Sequence, residues 1–272
     1  MKPSHTFWND ADLPFVEMRR TLRSTVSYTA HCHREFCVGA VTEGVTLTTI
    51  RDTGYAASPG SLVLIAPESV HSCNPPAGAA RSYIMAYLDV RWCRSVQESL
   101  FGPLERFLSP VPVLLENEAL FAAFLELADL LAGNASSREK TVGLTRFAGD
   151  LFAAACDPVE ARDEEVSEGI IREVRNYLAQ RPERNISLDE LAATFRCNPC
   201  HLLRSFKKFV GLPPHAYMLI ARIERAKQLL LDGVPVSRVA VETGFADQSH
   251  FHRVFRRTLA ATPRQYQHGF VK

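Results

Sequence analysis

SLDELAATFRCNPCHLLRSFKKFV (residues 187–210) and PVSRVAVETGFADQSHFHRVFRRTL (residues 235–259) are two versions of one pattern. Leu191-Ala192 matches Val239-Ala240 at an offset of 48 residues. After one extra residue the offset is 49, pairing Asn198 with Asp247, Leu202 with Phe251, Arg204 with Arg253, Phe206 with Phe255, Pro214 with Pro263 and Tyr217 with Tyr266. An offset kept over so many apolar and capping positions predicts one supersecondary unit used twice. Local chemistry says which unit. Ser187 and Glu190 have the spacing of a capping box, in which each side chain satisfies an amide at a helix start. Leu188, Leu191 and Ala192 supply an apolar stripe, and Asn198 as N-cap with Pro199 behind it starts a second helix. Along that helix Leu202, Phe206 and Phe209 are expected to face the core, which leaves Cys200, Leu203, Arg204, Lys207 and Lys208 outside. In the second copy Pro235 opens a short helix, Gly244 ends it, and Asp247 caps the next one. That helix turns Phe251 and Phe255 inward and Gln248, Ser249, His252, Arg253, Arg256 and Arg257 outward. Each copy therefore has the mechanics of a helix-turn-helix. Residues 214–231 between them read as one long helix that fixes their separation.

Charge follows the same division. Residues 167–272 hold 17 Lys and Arg against 9 Asp and Glu, a balance of +8, whereas residues 1–166 hold 14 against 21, or −7. The basic half is a candidate for polyanion binding, and the acidic half would repel a phosphate backbone. With 272 residues, 46% hydrophobic and 22% charged, the chain can bury two modest cores, and readings as a disordered chain or a coiled coil fail. No apolar run has the length of a membrane span. The first ten residues, MKPSHTFWND, lack the apolar centre of a signal peptide, so a cytoplasmic location is expected. Seven cysteines, an odd count at low density, are expected to be reduced thiols.

The sign changes at DPVEARDEEVS, residues 157–167, an acidic stretch almost free of large apolar residues that reads as a linker. It divides the chain into domains at 1–156 and 168–272. Upstream, residues 35–42, 45–51, 61–66 and 82–88 are rich in β-branched and aromatic types. Gly44, Gly54, Pro59-Gly60 and Pro75-Pro76 punctuate them as turns between strands would. After Asp89 the rhythm is helical over residues 91–101, 118–131 and 137–156. The fold class expected is α+β, with a small N-terminal β-barrel and helical layer followed by an all-α domain carrying two helix-turn-helix units.

Residues 168–268 resemble the DNA-binding domain of the AraC family of bacterial transcription regulators. The residues that carry the resemblance are Leu188, Leu191-Ala192, Leu202, Phe206-Lys207-Lys208 and Gly211, then Arg222, Ala226 and Leu229-Leu230. Gly244-Phe245, Asp247, Ser249, Phe251, Arg253, Phe255, Pro263 and Tyr266 complete the pattern. Asn198 stands where a Ser is usual and Gln267 where an Arg is usual. Ala260 stands where the first copy has Gly211, so a positive φ there would be strained. The resemblance implies that the helices starting at Asn198 and Asp247 each enter a major groove of double-stranded DNA. Carried over residue by residue, Cys200, Leu203 and Arg204 in the first, and Gln248, Ser249, His252 and Arg253 in the second, would meet base edges. Arg can bond guanine, Gln suits adenine and Leu can meet a thymine methyl. Lys207, Lys208, Arg256 and Arg257 would meet phosphates. Cys197 and Cys200 have C-x-x-C spacing, but they fall inside a unit that already accounts for both positions.

The N-terminal half resembles the cupin-type sensor domain found in many AraC-family members. The residues are His31-Cys32-His33-Arg34-Glu35-Phe36 with Gly44, the run 59–67 with His71, and Tyr83 with Tyr87-Leu88-Asp89. In metal-binding cupins two His flank one residue, a carboxylate follows, and a third His comes from a later strand. Here His31, His33 and His71 fit, while the carboxylate position is Cys37. A His₃Cys set would suit a divalent metal such as Zn²⁺; the same histidines, with Cys37 and Tyr83, could instead line the pocket of a small-molecule effector. One of the helices after the barrel is expected to form a two-fold homodimer interface. The function implied is a ligand-responsive transcription regulator without catalytic activity, with RNA polymerase as a further partner if it activates. The alternative is a cupin metalloenzyme acting on a small molecule, with the helical domain as an accessory.

Overall fold

The computed structural model describes residues 4–50, 53–156, 169–197 and 199–268. The linker expected at 157–167, the cap expected of Asn198 and the end of the 45–51 segment lie outside the described residues. Among the described residues, nine strands and three helices make one compact unit, and seven further helices make another.

The first unit runs β1 (Ser4–Asn9), β2 (Val16–Ser24), β3 (Phe36–Glu43), β4 (Thr46–Ile50), β5 (Thr53–Ala57), β6 (Ser61–Ile65), β7 (His71–Asn74), β8 (Arg81–Leu88), α1 (Val90–Phe101), β9 (Leu114–Glu116), α2 (Glu118–Ala132) and α3 (Ser137–Ala155). Its strands form a six-stranded antiparallel sheet, β1-β2-β8-β3-β6-β9, and a three-stranded one, β5-β4-β7. Alternation along the strands gives the larger sheet two working faces. Met18, Val38, Ala40, Leu62, Leu64, Ile84, Ala86 and Leu88 point one way and join the apolar stripes of α2 and α3, Phe124, Leu127, Leu131, Phe147 and Leu151. The opposite face carries Cys37, Val41, Val63, Ile65 and Tyr87, closed off by Ile50, Ala57 and Cys73 from the smaller sheet. Gly39 belongs to this face because a Cβ there would lie 2.9 Å from Met85 Cε. Capping residues set the helix starts: Asn117 accepts from Leu120 N, and Ser136 with Glu139 forms a capping box before α3.

The second unit is all helix: α4 (Gly169–Gln180), α5 (Leu188–Thr194), α6 (Pro199–Val210), α7 (Pro214–Leu231), α8 (Val236–Glu242), α9 (Gln248–Leu259) and α10 (Pro263–His268). Several backbone bonds recur in both copies. Cys197 N donates to Ala192 O as Phe245 N does to Ala240 O, and Gly211 N donates to Lys207 O as Ala260 N does to Arg256 O. Phe206 meets Tyr217 edge-on at 5.8 Å, and Phe255 meets Tyr266 edge-on at 5.6 Å. Ser187 and Glu190 form the capping box expected, and the shared hydrogen bonds hold the Glu190 carboxyl below its usual range. Asp247 accepts from His250 N at 2.6 Å. One expectation is corrected: Phe209 is only half-buried, with Lys208 Nζ 5.6 Å from its ring centre, and Val210 takes the third buried place on α6. Both copies need a left-handed residue at the end of each helix, and each copy has one that is not glycine. The short first helices end at Arg196 (φ 50°) and Gly244 (φ 79°), the second helices at Gly211 (φ 84°) and Ala260 (φ 50°).

Candidate DNA-binding face and effector site

Helix periodicity decides what α6 and α9 present. With Leu202, Phe206 and Val210 buried in α6, and Phe251, Phe255 and Leu259 in α9, the residues between them are turned outward. Cys200, Leu203, Arg204, Lys207 and Lys208 are exposed, as are Gln248, Ser249, Arg253, Arg256 and Arg257, while His252 is half-exposed. Arg204 Nε donates to Cys200 O at 3.3 Å, which lays the guanidinium back along the N-terminal turn of its helix. All eleven expected positions thus fall on the outward faces of two equivalent helices.

What holds the two copies together is α7. At 18 residues it is about 27 Å long. Its buried Arg222 donates from Nε to Pro182 O at 2.7 Å and from Nη2 to Asn185 Oδ1 at 2.7 Å, with its guanidinium carbon 5.7 Å from the Phe245 ring centre. One side chain therefore joins the segment before α5 to the turn of the second copy. Gly244 packs against the same segment, so closely that a Cβ would lie 2.3 Å from Glu183 O. At the far end Gln267 Nε2 donates to Leu230 O and Val234 O at 3.2 and 3.0 Å, closing the C-terminus of α7. The residue that departs from the family pattern thus has a capping task of its own.

His31, His33 and His71 come together, with one ligand atom from each lying within 4.8 Å of the others. All three are buried, at 5%, 5% and 3% exposure. His31 Nδ1 and His71 Nδ1 face the carbonyls of Thr29 and Ser69 at 2.7 and 2.8 Å. A carbonyl can only accept, so each Nδ1 carries a proton, and Nε2 is the ring atom left to meet a ligand. Tyr87 packs edge-on to His33 at 5.0 Å.

Cys37 is not in that group. Its thiol reaches Glu35 O at 3.7 Å and lies in the apolar cluster with Val41, Val63 and Ile65. Tyr83 is elsewhere again, between Arg19 and Arg81, whose guanidinium carbons stand 5.8 and 5.0 Å from its ring centre. Tyr83 and Tyr87 sit on one face of β8 about 13 Å apart. The residues expected to share one site therefore occupy two ends of the same sheet face, an imidazole end and a guanidinium end. Arg19 and Arg81 were not expected at this face, because the pairing of β2 with β1 and β8 brings them there and no local spacing announces it.

Known proteins agree with this division. Residues 191–269 match the family model of a helix-turn-helix domain, and residues 18–148 match that of an AraC-like ligand binding domain. The uncharacterized HTH-type transcriptional regulator YbfI of Bacillus subtilis is 29% identical over 224 residues, 81% of this chain and 80% of its own. The HTH-type transcriptional activator RhaR of Enterobacter sp. is 26% identical over 260 residues, 89% of this chain and 87% of its own. ToxT from Vibrio cholerae shares the fold, with a TM-score of 0.63 at 15% identity over 97% of this chain and 96% of its own. The two matched domains lie in the order that the charge division marks, and the chain belongs to the AraC family of transcription regulators, with an N-terminal ligand-binding domain and a C-terminal DNA-binding helix-turn-helix domain.

Proposed function

We propose that this regulator reads two major-groove segments with α6 and α9. Cys200, Leu203, Arg204, Gln248, Ser249, His252 and Arg253 meet base edges, and Lys207, Lys208, Arg256 and Arg257 meet phosphates. The observation that carries this reading is the equivalence of the two outward faces: Arg204 and Arg253, the paired positions of the repeat, both stand exposed one turn before a basic pair. The first unit binds the effector between its sheets and pairs two copies of the chain, the protein works in the cytoplasm without turning over a substrate, and activation brings RNA polymerase as partner. Selection of bound DNA from a random pool tests the reading. A single enriched site whose affinity falls steeply with salt supports it, and recovery of random sequence alone contradicts it.

The three histidines favour a second reading of the effector end, in which they hold a divalent metal such as Zn²⁺. Three buried imidazoles, two with Nδ1 fixed on backbone carbonyls, are a donor set that fits such an ion. A bound metal would either signal directly or supply Lewis-acid chemistry to a cupin enzyme, the alternative from a different class. Metal analysis of protein purified without a His-tag separates these. About one equivalent with operator binding that depends on it supports a metal-responsive regulator, one equivalent with consumption of a small molecule supports the enzyme, and under about a tenth of an equivalent after adding Zn²⁺ removes both.

A further inference from the structure

Arg196 closes the turn between α5 and α6 with φ 50°, in the left-handed region that a residue with a Cβ enters at a cost in stability. The paired position of the repeat is Gly244, φ 79°, where glycine is needed twice over: for the dihedral angle, and because a Cβ would lie 2.3 Å from Glu183 O. The turn itself is the same in both copies. Arg196 N donates to Ala193 O at 3.2 Å as Gly244 N does to Val241 O at 3.1 Å. The backbone of the first copy thus favours glycine, and the chain supplies arginine. Nothing within the unit compensates for that choice. Arg196 is exposed, and its guanidinium makes no hydrogen bond, ion pair or ring contact with a described residue. Other exposed arginines of the unit do find partners: Arg181 lies 5.9 Å from the Tyr177 ring centre, and Arg238 pairs with Glu242.

We propose that Arg196 is a further DNA-contacting residue, a phosphate clamp at the lip of the groove that α6 enters, present in the first copy only. The inference rests on the reading that α6 enters a major groove, and adds a contact that the second copy cannot make, since Gly244 has no side chain and no room for one. Position and chemistry both support it. Arg196 stands four residues before Cys200, the first outward residue of α6. With the start of a recognition helix in the groove, the turn before it runs along the groove's edge, where the phosphates stand. Lys207 and Lys208 lie in the last turn of α6, so Arg196 gives that helix a cation at each end, whereas α9 has its basic pair, Arg256 and Arg257, at the far end alone. The planar guanidinium fork matches phosphate oxygens and forms charge-assisted hydrogen bonds with them. A strained backbone held at an exposed, unpartnered cation is the pattern expected where a ligand contact keeps the residue in place.

The test uses the full chain on its selected site and on a random duplex of equal length, over a range of salt concentrations, with Arg196→Gly, Arg196→Lys and Lys207→Ala. Arg196→Gly, which the turn accommodates better than the native residue, is expected to melt no lower than the native chain. It is also expected to bind both duplexes about three- to tenfold more weakly at low salt and to flatten the salt slope by about one unit. Arg196→Lys keeps the charge and the strain, so its slope is expected to match that of the native chain. A glycine variant with native affinity and native slope overturns the clamp, and one that weakens the selected site alone overturns phosphate as its target. Lys207→Ala keeps the two readings apart. If it flattens the slope while Arg196→Gly does not, only the clamp is overturned; if neither does, the placement of α6 on DNA is overturned with it.

Discussion

Single residues make sharp statements here because each copy of the repeat carries one residue in a conformation it does not favour. Ala260 holds φ 50° where its counterpart Gly211 holds 84°. Replacing Ala260 with Gly removes left-handed strain and restores some freedom to the unfolded chain, so a net gain of about 0.5–1 kcal/mol is expected. Chemical denaturation of the full chain, followed on the transition of the C-terminal unit, checks this, and a loss of stability contradicts the strain. For the DNA face, Arg204→Ala or Arg253→Ala should lose about 1–3 kcal/mol on the cognate site and relax discrimination at one position. Lys207→Ala should weaken all sequences alike and flatten the salt slope by about one unit. Equal weakening of specific and random DNA by Arg204→Ala would show that it contacts phosphate. His5 gives a pH signature in the first unit. Its folded value, about 4, is below its unfolded 6.5, so the unfolded chain takes up the proton more readily. The contribution is fully present above about pH 6.5 and is lost as the pH falls through 4. Because the ring is half-exposed, solvent screens the effect to on the order of 1 kcal/mol. His5→Gln should flatten the stability profile between those limits, and an unchanged slope would place the depressed group elsewhere.

At the scale of elements, the two copies are held in register by contacts that neither makes alone. Arg222 ties α7 to the segment before α5 and to the Phe245 ring, so Arg222→Met leaves Pro182 O and Asn185 Oδ1 without their donor and should cost about 2–4 kcal/mol. A cost under about 0.5 kcal/mol, read from the denaturation of the C-terminal unit, would mean that the packing of α7 alone holds the copies. Gly244 is less forgiving, since a methyl group there meets backbone at Glu183 rather than a side chain that can move. These elements were legible in the sequence because their signals are local: Ser187 with Glu190, Asp247 before His250, and apolar residues at helical spacing. Strand β2 was not legible. VEMRRTLRS has Arg19 and Arg20 at its centre and carries no unbroken apolar alternation to mark a strand, yet of the two only Arg20 reaches the surface, where it pairs with Asp129. Arg19 is buried by Phe7 of β1 and Tyr83 of β8, distant partners that no spacing within β2 announces. The effector residues show the same limit. His31 with His33 could be read from adjacency, but the end of the sheet face that Tyr83 occupies depends on the pairing of β8 with β2 and β3.

For the whole molecule, charge, fold and family agree on two tasks carried by one chain: an acidic unit with a buried polar interior, and a basic unit that exposes two matching helices. Among the described residues no helix is long and apolar enough to cross a membrane. Both helix-turn-helix copies are expected to read DNA together. Two helices joined through α7 can engage one face of a duplex only if their target segments lie about 34 Å, or 10 base pairs, apart. The two segments need not resemble each other, because Cys200, Leu203 and Arg204 differ chemically from Ser249, His252 and Arg253. The decisive measurement is binding of the full chain to its selected site, with and without five base pairs inserted between the two segments. Half a turn carries one groove to the far side of the duplex, so specific binding is expected to fall to the level of random DNA. Undiminished affinity for the inserted site would contradict joint reading and leave a single copy as the reader.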